Sequence, residues 1–177
     1  MFVQCVETLG APAIFYKQLT DRPETCRIFV DLFGRSRYPS ELLLNHPGVL
    51  DEVVDRVRTV RRATLESLLD ELRSILDGVT NENEIARRIQ ECRALHFIHI
   101  GILDLSGRLP LDRVLVSLST VARAILTVID EICLQRTMEL MGDLQVDPEN
   151  PARHTILALG RLGGDEVGYA SDLDLIL

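Results

Sequence analysis

The stretch Gly160–Leu177, GRLGGDEVGYASDLDLIL, joins a glycine-dotted turn to an acidic–apolar alternation. In SDLDLIL, Asp172 and Asp174 fall on one face of an extended segment, and Leu173, Leu175 and Leu177 on the other. Strand residues two apart have Cα atoms about 6.5–7 Å apart. Carboxylates that near repel each other unless a cation lies between them. A pair of hard oxygen donors suits Mg²⁺, which commonly binds through carboxylates together with substrate phosphates. Gly160, Gly163 and Gly164 let the backbone bend sharply and approach a phosphate. A solvated strand edge after a glycine loop is the plainer alternative, and an Asp-x-Asp pair alone does not choose between them. GRLGGDEVG lacks the Gly-Lys-Ser/Thr of a Walker loop, and its G-x-x-G-G spacing is not the G-x-G-x-x-G of a dinucleotide fold.

Upstream, TILALG ends in glycine and reads as a short buried strand. Before it, Pro148 and Pro151 in GDLQVDPENPARH mark a loop or linker. From Met1 to about Asp143 the periodicity is helical. Leu65, Leu68, Leu69, Leu72, Ile75 and Leu76 form one stripe, with Gly78 as a stop. Asn81 and Glu84 make a variant capping box for a second helix with the stripe Ile85, Ile89, Cys92, His96, His99, Leu103. Pro110 suits the first turn of a third, long helix whose apolar positions run from Val114 to Ile132 and which extends to about Met141. CRIFVDLFG and YPSELLLNHPGVLDEVVD read as shorter helices, with Pro39 and Pro47 near their starts. The chain is therefore expected to be mainly α: a helical bundle over residues 1–145, then the truncated start of an α/β domain over 146–177.

The chain has 177 residues, 46% of them hydrophobic, so a real core is expected rather than disorder. A formal charge of −8 argues against a general affinity for nucleic acid. There is no apolar run of membrane-spanning length, and MFVQCVETLG lacks the basic-then-apolar order of a secretory leader. A cytoplasmic protein is expected. Cys5, Cys26, Cys92 and Cys133 have no CxxC spacing and read as buried thiols.

Three other groups have bland readings. His96 and His99, three apart on one helix face, could face a metal, but they lie on an apolar stripe and read as core histidines. Arg35, Arg37 and Tyr38 could hold an anion; a solvated or salt-bridged helix end is the expectation. Arg56, Arg58, Arg61 and Arg62 are offset by Glu66, Asp70 and Glu71, as on an exposed helix face.

LALGRLGGDEVGYASDLDLIL resembles the nucleotidyltransferase signature of bacterial glutamine synthetase adenylyltransferases: a strand, Gly-Lys-Leu-Gly-Gly, an acidic residue, an aromatic residue, Ser-Ser-Asp and Leu/Ile-Asp-Leu. LFGRSRYPSELLLNHPGVLDEVVD and LDLSGRLPLDRVLVSLSTVARAIL resemble that family's helical segments. The resemblance implies an α/β nucleotidyltransferase domain, with Asp172 and Asp174 binding Mg²⁺. It also implies that Gly160, Arg161, Gly163, Gly164 and Ser171 line the triphosphate site of the substrate ATP. Arg161 stands where the family has lysine, keeping the charge but not the geometry. Glu166 fills an acidic position of open role. The family transfers AMP to a tyrosine of glutamine synthetase in one catalytic half and removes it by phosphorolysis in the other, and GYASDLDLI is closer to the first. A PII-type nitrogen signal protein is an implied partner of the whole enzyme. A third carboxylate on a later strand is also implied, so this stretch alone is expected to lack a complete active site. A non-catalytic helical interaction module is the alternative.

Overall fold

The computed structural model describes residues 6–7, 12–56, 63–142 and 154–177. Arg58, Arg61, Arg62, Cys5 and the Pro148–Pro151 linker lie outside these. Four shorter helices come first: α1 (Pro12–Asp21), α2 (Pro23–Arg35), α3 (Arg37–Asn45) and α4 (Leu50–Arg56), with a 3₁₀ turn over Pro47–Val49 before α4. Then come α5 (Leu65–Leu76), α6 (Glu82–Leu105) and α7 (Leu111–Met141). The C-terminal stretch holds β1 (Leu157–Ala158), the single helical turn α8 (Gly160–Gly163) and β2 (Leu175–Ile176). The chain is mainly α.

Local sequence explains the helix ends. Thr64 accepts from the Ser67 N–H and the Ser67 hydroxyl accepts from the Thr64 N–H, a reciprocal box that starts α5. Asn81 Oδ1 accepts from the Glu84 N–H at the start of α6. Pro110 precedes α7 as its cap rather than sitting inside the first turn. Gly142 then ends α7 at φ 82°, after 31 residues and about 46 Å of helix.

α5 and α6 both lie against α7, and α2, α3 and α4 all pack on α6. The stripe of α5 behaves as expected, with Leu68 and Leu72 fully buried. Each such leucine contributes about 1.5–3 kcal/mol. α6 departs from the one-sided expectation. Every residue from Ala94 to Leu103 is buried, including His96 and His99. Helices on several sides enclose it, so its C-terminal half is covered all round.

The two strands correct the sequence expectation. β1 and β2 pair antiparallel, Leu157 with Ile176 and Ala158 with Leu175. TILALG is strand only at Leu157–Ala158, and Leu157 and Leu159 are exposed rather than buried. Asp172 and Asp174 precede β2 instead of lying within it. A two-residue ladder cannot cover both faces of these segments. The C-terminal stretch nonetheless shares the helical core, because Leu162 and Val167 are buried in the same cluster. His154 Nε2 also meets Asp130 of α7 at 2.8 Å. Among the described residues, no helix is long and apolar enough to cross a membrane.

Of the three described cysteines, only Cys92 is buried; Cys26 is half-buried and Cys133 is exposed on α7. Arg35 pairs with Asp31, and Arg37 with Glu41, as expected of salt-bridged helix ends. Arg56 is not on an open face. Its guanidinium donates to Glu52 at 2.5 Å and to Glu71 at 2.9 Å.

Candidate active site

The glycine turn and the aspartate segment meet at Gly160. This residue has φ 52°, in the left-handed region that favours glycine. A Cβ built there would run into the Asp174 carboxylate. The Asp174 carbonyl meanwhile accepts from the Leu159 N–H at 2.8 Å, continuing the β1–β2 register by one pair. Asp174 is thus held by its backbone to the strand before the turn, with its side chain over the glycine that opens the turn.

Gly163 meets a second close approach: a Cβ there would stand 2.6 Å from the Ala158 carbonyl oxygen. The turn folds back onto β1 only because that atom is missing. Gly164 donates to the Gly160 carbonyl at 3.1 Å and closes the turn. Arg161 Nη1 donates to Ser171 Oγ at 3.4 Å, and the Gly168 N–H donates to the same oxygen at 2.9 Å. Asp172 follows Ser171 directly and is exposed, as are Asp174 and Arg161.

The predicted residues therefore come together in two contacts: Gly160 with Asp174, and Arg161 with Ser171. Gly163 and Gly164 shape the turn between them. The Glu166 N–H donates to the Arg161 carbonyl at 2.7 Å, and its side chain is exposed.

Sequence reading missed the residues that hold this assembly on the helical body. The Val167 N–H donates to Ser119 Oγ of α7 at 3.1 Å. Arg123 of α7 pairs with Asp165 at 2.7 Å. Tyr169 donates its hydroxyl proton to Asp104 Oδ2 of α6 at 3.1 Å, and its ring lies against Tyr38 and Phe97. Burial, then the Asp104 charge and hydrogen bond, raise the Tyr169 pKa far above that of a free phenol. A serine in an apolar helix stripe was the one available signal.

A second polar cluster lies away from the turn. His96 Nε2 donates to Glu71 Oε2 at 3.0 Å, and Arg56 Nη1 stands 3.4 Å from that nitrogen. Cys92 Sγ, a ring nitrogen of His96 and a Glu71 oxygen lie within 4.8 Å of one another. The Arg56 guanidinium supplies a positive charge at this cluster. Burial raises the Glu71 carboxyl, but the His96 hydrogen bond and the charges of His96 and Arg56 outweigh it, and the net shift is downward. His96 is thus a buried, bonded histidine, as expected.

A glycine turn bearing an arginine thus closes on a segment with two exposed aspartates, and both are mounted on a helical body. Residues 26–177 match the family described as glutamate–ammonia ligase adenylyltransferase, and the chain belongs to that family. It is similar to the bifunctional glutamine synthetase adenylyltransferase/adenylyl-removing enzymes of Burkholderia mallei (30% identical, 97% of this chain) and Pasteurella multocida (28%, 97%). It is also similar to that of Ralstonia nicotianae (29%, 99%). The chain spans 18% of the length of each of these relatives.

Proposed function

We propose that this chain carries the helical body and the first metal-binding segment of an Mg²⁺-dependent enzyme that moves AMP from ATP to a tyrosine of glutamine synthetase. The juxtaposition of Gly160 and Asp174 supports the reading most directly. It leaves a carboxylate exposed directly over a turn residue that has no side chain. The donor set fits the metal: Asp172 and Asp174 offer hard oxygens, as Mg²⁺ requires.

Asp172 and Asp174 would hold the metal. When bound, Mg²⁺ neutralises phosphate charge and stabilises attacking and leaving oxygens. Arg161 faces the triphosphate charge, and its contact with Ser171 Oγ keeps the turn and the aspartate segment in one arrangement. The tyrosyl oxygen attacks the α-phosphorus in line; the new O–P bond forms as the bond to the β-phosphate oxygen breaks. Pyrophosphate leaves with the electron pair, and the tyrosyl proton passes to solvent.

Removal of AMP by phosphorolysis is the second reading, and the relatives' names carry both activities. On this proposal the enzyme works in the cytoplasm, with a PII-type protein as a regulatory partner of the whole enzyme. The present stretch alone is inactive in transfer.

The test is label transfer from α-labelled ATP to glutamine synthetase, in a protein carrying this sequence at the full length of its relatives. Label is expected, and Asp172→Asn should abolish it. Equal labelling by the variant would leave this chain a non-catalytic helical module.

A further inference from the structure

We infer that Ser119 and Asp104 are positioning residues for the nucleotide site: the helical body holds the strap from Asp165 to Tyr169 in one place and so fixes the position of the aspartates that follow it. The inference rests on the reading of Asp172 and Asp174 as the metal pair.

Three strap residues spaced by two each have one partner on the body. Asp165 pairs with Arg123, Val167 N–H with Ser119 Oγ, and Tyr169 hydroxyl with Asp104. Ser119 and Arg123 are four apart and share one face of α7. Within the strap Val167 is buried, Glu166 is exposed, and Asp165, Gly168 and Tyr169 are half-buried. Three ties within five residues fix where the strap lies on the body, and Tyr169 stands only two residues before Ser171.

The ties run on into the site. Gly168, next to Val167, donates to Ser171 Oγ, which also receives Arg161 and directly precedes Asp172. Ser119 itself is fully buried and already donates back to the Leu115 carbonyl at 2.9 Å. A helix needs no hydroxyl there for packing. Its lone pair serves the strap. The Arg123–Asp165 pair is half-exposed on both sides, so the buried hydrogen bond and the tyrosine carry most of the placement.

The experiment follows Mn²⁺·ATP binding by electron paramagnetic resonance, alongside hydrogen exchange of the strap amides, in a protein carrying this sequence at the full length of its relatives. Ser119→Ala and Asp104→Ala should each weaken binding by about tenfold, the effect of one lost buried hydrogen bond. Asp104→Asn keeps an acceptor for Tyr169 and should bind within about twofold of the unmutated chain, because its hydrogen bond survives. The Val167 amide should lose protection in Ser119→Ala while the amides of α5 keep theirs. Binding by the two alanine variants equal to the unmutated chain overturns the inference, and so does an Asp104→Asn variant as weak as Asp104→Ala. If the unmutated full-length protein fails to bind Mn²⁺·ATP, the nucleotidyltransferase reading itself falls, and the inference with it.

Discussion

Asp174 places a carboxylate where Gly160 would carry its Cβ, while the Asp174 carbonyl is bonded to the Leu159 N–H at 2.8 Å. One residue is thus pinned by its backbone and fitted by its side chain against the same turn. Gly160→Ala has two effects. It costs about 1–2 kcal/mol for an L-residue in the left-handed region, and it pushes the carboxylate aside. We expect divalent-cation binding, followed by Mn²⁺ relaxation, to fall by about tenfold or more, since a displacement worth 1.4 kcal/mol suffices for that.

The acid limb of stability should report Glu71. Its carboxyl is lowered from its ordinary 4.5 by the His96 hydrogen bond and the His96 and Arg56 charges, against the opposing effect of burial. A lowered folded-state value means the contribution is complete above 4.5 and is lost as pH falls through the folded value. Urea midpoints below that pH should drop steeply in the unmutated chain and less steeply in Glu71→Gln. Equal slopes would rule out this origin.

The thiols should separate by reactivity. Burial, then the Glu71 charge, pushes the Cys92 thiol up to about 12, whereas Cys133 is exposed on α7. Under native conditions an aromatic disulfide reagent should modify Cys133 rapidly and Cys92 only on unfolding. Mass spectrometry of the modified peptides checks this, and early labelling at Cys92 would contradict the packing of α6.

Thr64→Ala should cost about 1 kcal/mol by chemical denaturation, because it opens the box that starts α5. Thr64→Ser should recover most of the loss.

The helices were legible because apolar period, caps and glycine stops agree along Leu65–Leu76 and Val114–Ile132. The turn was legible for the same local reason: Gly160, Gly163 and Gly164 sit where a Cβ has no room or no need. Three things were not local. The enclosure of α6 depends on α3, α4 and α7 closing around Ala94–Leu103, which no stripe within α6 reveals. The strand lengths depend on a partner ladder that ends at Leu157–Ala158 and Leu175–Ile176. The ties from Ser119 and Asp104 join residues 48 and 65 positions from their partners. Spacing along the chain cannot find those.

The central claim is that Asp172 and Asp174 present a divalent cation to a nucleotide beside the Gly160 turn. Calorimetric titration of ATP, with and without Mg²⁺, into a protein carrying this sequence at the full length of its relatives is the decisive measurement. Binding that requires Mg²⁺ and loses a site in Asp174→Asn is expected. ATP binding that ignores Mg²⁺, or that survives in Asp174→Asn unchanged, would contradict it.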